Sequence, residues 1–453
     1  MAVSSPSAMD RPAVERRAAL PPGFQAGAVA AGIKASGRPD VALILATSGP
    51  AAAAAVFTPN AFAAAPVRLS RSNLAVTSDD PRGGFGFASA VVSTSGCANA
   101  ATGAAGDRDQ AEVGRMVAEA LGVDELRVLH LSTGIIGARL PLDRVAVGID
   151  AVAQNLRDDD AALEATAEAL RTTDSVTKIA TTSIALPAED GEPMPVTVTG
   201  IAKGVGMIHP NMATMLSVIL TDAPVAPEVL WDLLRPAAAR TWNQLSVDGD
   251  TSTNDTVFVL ASGVAGTAPI AAGSGAAVTL GAAIEAVARD LARQQAADGE
   301  GATILITAIA TGAVDDIDAR AVARAVVSSS LVKAAAHGKD PNWGRIAGAA
   351  GNAVTASAAV LEAAGLAPDV AATRAGRPAT IDPDRLRVSI AGHPVFDGAQ
   401  GGPLTFDRAA ARAAMDAPEL VIELDLGLGD GTGEAFGCDL TEAYVIENSE
   451  YTT

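Results

Sequence analysis

The order of apolar segments along the chain is the feature that most restricts its fold. Apolar runs predict strands at 41–47, 126–134, 196–204, 255–262, 302–312 and 419–431. Helical spacing of apolar residues predicts helices at 110–121, 160–170, after Pro227, 281–297 and 318–333. The two kinds of element alternate, but without the regular strand–helix–strand rhythm of a doubly wound parallel sheet. The sequence therefore predicts a layered α/β sandwich with mixed sheets.

Charge and cysteine content exclude several classes of partner. The 453-residue chain carries a formal net charge of −20, which disfavours binding to nucleic acid or to an anionic membrane surface. It has no uninterrupted apolar run of about 18 residues, the length that spans a bilayer. Cys97 and Cys438 form no CxxC motif, so neither a disulfide framework nor a metal site is expected. We expect a cytoplasmic protein whose residues 1–20 are a flexible lead-in, not a secretory signal.

The segment "GMIHPNMATMLSVILTD" (206–222) raises the main chemical question. Pro210 and Asn211 favour a turn, so Thr214 is expected where a loop enters a strand. A threonine can act as a nucleophile without a histidine when its own α-amino group takes the proton. That chemistry requires Thr214 Oγ1 to attack the Ala213 carbonyl and cleave the Ala213–Thr214 bond. On residue type alone, an ordinary β-branched strand residue is the better interpretation of Thr214.

Three other positions could recognise a substrate. In "STGIIG" (132–137), the Thr133 hydroxyl and the Gly134 N–H follow a strand and could stabilise an oxyanion, although a plain glycine turn fits as well. Lys203 is one of only five lysines and lies in the glycine-rich turn "AKGVGM". Glu300 stands between glycines before a strand, where a carboxylate could bind an ammonium group. Each signal is weak when it is considered alone.

Seven segments spread along the chain resemble the ornithine acetyltransferase / glutamate N-acetyltransferase family of arginine biosynthesis. They are "STGIIG", "TTDS", "KGVGMIHPNMATML", "SVDGDTSTND", "GEGAT", "KDPNWGR" and the terminal "ENSEYTT". The resemblance extends from about residue 20 to residue 453. It implies a sandwich fold shared with autoproteolytic aminopeptidases. It also implies self-cleavage at Ala213–Thr214 into chains 21–213 and 214–453, which stay together as an α2β2 heterotetramer.

The resemblance also implies a role for each matching residue. Thr214 would be the nucleophile, with Thr133 and Gly134 as the oxyanion pair. The substrate contacts would be Thr172, Lys203, Thr214, Glu300, Asn448 and Thr453. The implied reaction is ping-pong: Thr214 takes the acetyl group of N2-acetylornithine and passes it to glutamate. No metal or dissociable cofactor is implied, and acetyl-CoA is a co-substrate in those members that also begin the pathway.

Three departures from the family pattern leave the donor and acceptor open. Cys97 stands in "TSGCANA" where the family usually has Asn, and Ser175 and Thr177 replace the usual Thr and Pro. A paralogous acetyltransferase that acts on another amine is therefore one alternative. A second alternative is an N-terminal-nucleophile amidohydrolase or aminopeptidase that uses water as acceptor. A third is a non-catalytic binding protein with an uncut chain.

Overall fold

The computed structural model describes residues 11–188, 191–209 and 215–449. Its strands are β1 Phe24–Val29, β2 Val41–Ala46, β3 Ala51–Phe57, β4 Phe85–Ala88, β5 Ala90–Cys97, β6 Val128–Ile135, β7 Lys178–Pro187, β8 Pro193–Lys203, β9 Leu216–Thr221, β10 Leu245–Ser246, β11 Thr256–Ala261, β12 Leu305–Ala313, β13 Arg387–Ile390, β14 His393–Asp397, β15 Gly402–Pro403, β16 Glu419–Asp425 and β17 Gly431–Cys438.

The helices of the same ranges are α1 Ala65–Ser78, α2 Gly103–Leu121, α3 Leu142–Ala153, α4 Asp160–Leu170, α5 Pro227–Arg240, α6 Gly275–Ala297, α7 Asp316–Ser328, α8 Ser330–His337, α9 Trp343–Gly351, α10 Ala358–Ala363, α11 Pro368–Arg374, α12 Arg408–Ala414 and α13 Glu442–Ser449. None of these helices is long and apolar enough to cross a membrane.

The strands form three sheets of mixed direction. The orders are β1-β2-β5-β6, β4-β3-β11-β9-β8-β7 and β10-β17-β12-β16-β13-β14-β15. In the six-stranded sheet, β9 and β11 run parallel, whereas β3 pairs antiparallel with β11 and β8 pairs antiparallel with β9. The predicted layered α/β sandwich with mixed sheets is confirmed.

Side chains of the six-stranded sheet enter an apolar core on each face. Along β11, Phe258 and Leu260 join the core that includes β1 and α4, while Val257 and Val259 join the core that includes α5 and α6. Successive strand residues point to opposite faces, so a strand with both faces covered is apolar throughout. The sequence "TVFVLA" of β11 has this pattern, and all six residues are buried.

Two predicted elements are divided in the structure. The helix predicted at 318–333 is α7 and α8, because Ser329 has extended backbone and its hydroxyl accepts a hydrogen bond from Val332 N, which caps α8. The strand predicted at 419–431 stops at Asp425. Gly427 then turns the chain with φ of 63°, and β17 starts at Gly431.

Part of the predicted flexible lead-in is bonded to the fold. Glu15 exchanges two backbone hydrogen bonds with Thr181 of β7, both 2.8 Å long. The Thr199 hydroxyl donates to Ala19 O at 2.6 Å, and Arg16 pairs with Asp290 of α6. Residues 11–20 therefore lie along the six-stranded sheet, and residues 1–10 of the predicted lead-in lie outside the described residues.

Candidate active site

A cleft of about 280 Å³ lies where several loops and strand ends meet. The end of β6, the end of β8, the loop before β11 and the start of the segment after α6 all contribute to it. It brings together the predicted residues Thr133, Gly134, Thr172, Lys203, Glu300 and Asn448. Residues far apart in sequence thus share one surface, and their chemical roles stay predictions.

The predicted positions Ala213, Thr214 and Thr453 lie outside the described residues. Their neighbour Met215 is described, and its carbonyl accepts a hydrogen bond from Thr256 N at 2.8 Å. In the antiparallel pairing of β8 with β9, Leu216 lies opposite Lys203. β9 therefore begins at the end of the sheet where Lys203 of β8 borders the cleft.

Thr133 and Gly134 lie near the end of β6 in a backbone that suits an oxyanion site. Gly134 has φ of 130°, and a Cβ there would lie 2.3 Å from the carbonyl carbon of Gly96, so only glycine fits. The Thr133 hydroxyl has no hydrogen-bond partner among the described residues and borders the cleft. A hydroxyl held this way is free to donate to a developing negative charge.

Lys203 brings an unpaired positive charge to the cleft. Its ammonium has no hydrogen bond or ion pair within the described ranges. Burial lowers the pKa of Lys203, Asp174 acts in the opposite direction, and Lys178 lowers it further. A partly buried ammonium without a partner is a suitable site for an anionic group such as a carboxylate.

Glu300 provides the negative charge of the cleft, and three neighbours fix its orientation. Its Oε1 accepts from the Thr173 hydroxyl at 2.9 Å, and its Oε2 accepts from Asn448 Nδ2 at 3.0 Å. A Cβ at Gly206 would approach Oε2 to 2.3 Å, so the glycine leaves the space that this carboxylate occupies. With Lys203, the described lining of the cleft presents one cation and one anion, which together suit an amino acid that carries both charges.

The comparisons with known proteins decide the family. A model of the ArgJ family matches residues 25–453. The chain belongs to the ArgJ family. The family predicted from the seven segments is thereby confirmed.

Curated relatives of this chain agree with that assignment. It is 43% identical to the arginine biosynthesis bifunctional protein ArgJ of Thermosynechococcus vestitus, covering 95% of this chain and 96% of that protein. With the same-named protein of Thermus thermophilus it shares 42% identity over 96% of this chain and 99% of that one. The crystal structure of ArgJ from Bacillus halodurans is 35% identical and covers 52% of this chain and 99% of its own, with a TM-score of 0.45.

The departures from the family pattern lie outside the cleft lining. Cys97 Sγ donates to Ala138 O at 3.2 Å, and burial raises the pKa of this thiol. The Thr177 hydroxyl donates to Glu168 at 2.9 Å, and Ser175 donates to Asp298 from its backbone N at 3.0 Å and from its hydroxyl. These three side chains make hydrogen bonds to residues around the cleft, and none of them lines its described part.

Asn254 is a site residue that sequence reasoning missed. Its Nδ2 donates to Ala98 O and to Ser132 O, each at 2.7 Å, and its Oδ1 accepts from the Thr253 hydroxyl at 2.8 Å. Ser132 immediately precedes Thr133, so Asn254 connects the Thr133–Gly134 segment to the loop before β11. The dense turn motif "SVDGDTSTND" was the available signal, but it did not show which residue would reach that turn.

Proposed function

We propose that this ArgJ family member transfers the acetyl group of N2-acetylornithine to glutamate, in arginine biosynthesis. The observation that carries the proposal is the unpaired Lys203 ammonium, which lies in the same cleft as Glu300 and the free Thr133 hydroxyl. Curated relatives that cover nearly the whole chain are arginine biosynthesis bifunctional proteins. The cleft supplies the charges that such a substrate requires.

Each charge has a counterpart on the substrates. The α-carboxylate occurs in both N2-acetylornithine and glutamate, so Lys203 serves both half-reactions. The side-chain ammonium of the ornithine moiety binds Glu300, while Thr172 and Asn448 border the same space. The C-terminal Thr453 would complete the contacts, as the family resemblance implies.

The chemical steps follow from a threonine nucleophile. Thr214 Oγ1 attacks the acetyl carbonyl carbon, its proton passes to the Thr214 α-amine, and the oxyanion accepts hydrogen bonds from the Thr133 hydroxyl and the Gly134 N–H. The C–N bond then breaks, and the α-amine returns the proton to the departing ornithine. The glutamate amine attacks the resulting ester and gives a proton to the Thr214 α-amine, which passes it to Thr214 Oγ1 as the ester C–O bond breaks, and N-acetylglutamate is released.

The nucleophile requires processing of the chain. We propose that self-cleavage at Ala213–Thr214 gives two chains, residues 1–213 and 214–453, which assemble as an α2β2 heterotetramer in the cytoplasm. The reaction needs no metal or dissociable cofactor. Acetyl-CoA serves as a second acetyl donor if this protein also begins the pathway.

Two measurements test the proposal. Denaturing gels and intact mass should show two chains for the wild type and one chain for Thr214→Ala, whereas an uncut wild-type species of 45.1 kDa would refute the cleavage. Ornithine release from N2-acetylornithine should then depend on glutamate. Equal release without glutamate would assign the chain to the amidohydrolases instead.

A further inference from the structure

A buried cluster of three charges lies beside the cleft but outside its lining. Lys178 Nζ donates to Asp174 Oδ1 at 2.7 Å and to Asp298 Oδ2 at 2.6 Å. The side chains of Lys178 and Asp174 are 0% exposed, and that of Asp298 is 8% exposed. Charges this far from water are fixed by their partners, since breaking one contact leaves another charge buried and unpaired. Lys178 is therefore a rigid link between two segments of the chain.

The Asp174 end of the link holds the segment that carries Lys203. Asp174 Oδ1 also accepts from Gly204 N at 2.7 Å, and Oδ2 accepts from Thr172 N at 3.1 Å. Burial acts to raise the pKa of Asp174, but Lys203 and Lys178 hold it below the ordinary value. An ionised Asp174 thus fixes the backbone directly after Lys203.

The Asp298 end of the link holds the segment that carries Glu300. Asp298 accepts from Ser175 N at 3.0 Å and lies two residues before Glu300, whose own N donates to Val205 O at 2.9 Å. The intervening Gly299 is tightly packed, because a Cβ there would lie 2.6 Å from Cys438 Sγ. The turn between Asp298 and Glu300 has little room to adjust by itself.

We propose that Lys178, through Asp174 and Asp298, fixes the distance between Lys203 and Glu300 and so selects the chain length of the amino-acid substrate. The inference rests on the proposed function, in which Lys203 binds the carboxylate and Glu300 binds the distal ammonium. Two charge contacts can distinguish substrates of different chain length only when the distance between the two contacts is held constant. A substrate that is one methylene longer or shorter then loses one of the two contacts. Discrimination by a single methylene is about 10- to 200-fold in well-defined sites. Lys178 is thus a positioning residue for both recognition groups.

The test compares two donors in the same preparation. We would measure kcat/KM for N2-acetylornithine and for N2-acetyllysine, which is one methylene longer, with glutamate as acceptor. Lys178→Met removes the shared ammonium, and Asp298→Asn keeps an oxygen for Ser175 N but removes one charge of the link. We expect the ornithine-to-lysine preference to narrow by about fivefold or more in each variant, within the range that one methylene supplies. The ratio does not depend on the concentration of active enzyme, so a loss of folded protein leaves it unchanged.

A matched control separates positioning from stability. Arg240→Met unpairs the buried carboxylate of Glu285, whose Oε2 lies 2.8 Å from Arg240 Nε at the α5–α6 contact. It should lower stability without changing the donor preference. If Lys178→Met does not fold or self-process, Asp298→Asn decides the question. An unchanged ratio in the variants that fold would overturn the inference and leave the proposed function intact, whereas a wild type inactive on N2-acetylornithine would refute both.

Discussion

Replacing Lys203 with methionine separates the role of this residue in binding from its role in folding. Lys203 ends β8 at the cleft, and its ammonium makes no ion pair or hydrogen bond with the described residues, although the charge of Asp174 acts to raise its pKa. Methionine keeps a flexible chain of similar length and removes the charge. Because burial lowers the pKa of Lys203 in the folded protein, keeping the ammonium charged there costs stability at pH 7. We expect the variant to be at least as stable as the wild type while it loses affinity for the donor.

The sizes of the changes in donor affinity and in stability follow from the contacts and charges of the site. A hydrogen bond to a charged group contributes about 1.5–3 kcal/mol, which corresponds to a fall in kcat/KM of about 10- to 150-fold. The carboxylate is bound equally in the ground state and the transition state, so the loss should appear in KM and leave kcat nearly unchanged. The folded pKa lies below the ordinary 10.5, so the unfolded chain holds this proton more tightly. Wild-type stability should therefore rise as the pH increases through the folded pKa towards 10.5, and the variant should lack that increment.

The assays are steady-state kinetics with varied N2-acetylornithine and urea unfolding at pH 7 and pH 9. Lys339→Met is the control, because Lys339 lies outside the cleft and pairs with Asp416 near the surface. That control should leave KM unchanged. A Lys203→Met protein that is less stable than the wild type but has a normal KM would refute the reasoning. That result would show that the charge of Lys203 stabilises the fold and does not bind the substrate.

Three further substitutions test other parts of the site and fold. Thr133→Val removes one oxyanion donor and should lower kcat by about 10²- to 10³-fold in steady-state assays. A decrease of only a few-fold would show that the Thr133 hydroxyl does not donate to the oxyanion. Gly206→Ala puts a Cβ 2.3 Å from Glu300 Oε2 and should raise KM for N2-acetylornithine by about tenfold, with an unchanged circular dichroism spectrum. Burial lowers the pKa of His130 to about 3, so the unfolded chain takes up a proton first as the pH falls below about 6.5. His130 should account for about 2 kcal/mol of the stability that the wild type loses between pH 7 and pH 5 by urea unfolding, and His130→Gln should lack that part of the loss; parallel pH profiles would contradict this.

The alanine-rich segment 51–57 shows where local sequence patterns stop being informative. Alanine has the highest intrinsic helix propensity. The segment nevertheless forms β3, which lies between β4 and β11, and all seven residues are buried. Pairing with the two neighbouring strands outweighs the helix propensity of alanine here, because β4 and β11 supply hydrogen-bond partners for the backbone of β3. By contrast, β11 was predictable, since an apolar run flanked by polar turns has few alternatives.

The site was predictable only in part for a related reason. Residue type and spacing drew attention to Lys203 and Glu300, and the family resemblance supplied their roles. Asn254 was not predictable, because its partners Ala98 and Ser132 are 156 and 122 residues away in sequence. A hydrogen bond across that separation depends on how two sheets meet, which no local pattern encodes. Thr173, bonded to Glu300 from 127 residues away, was missed for the same cause.

The six-stranded sheet explains how a chain cut at Ala213–Thr214 could still form one site. β9 and β11 follow that bond in sequence and occupy the middle of the sheet, while β3 and β8 precede it and flank them on either side. Each flank is an antiparallel ladder of six register pairs. A separated second chain would expose both edges of its central strands, together with the apolar faces that they bury, and such edges aggregate. The two chains should therefore remain associated until the fold itself is denatured, and this association keeps Thr133 and Lys203 from one chain opposite Glu300 and Asn448 from the other.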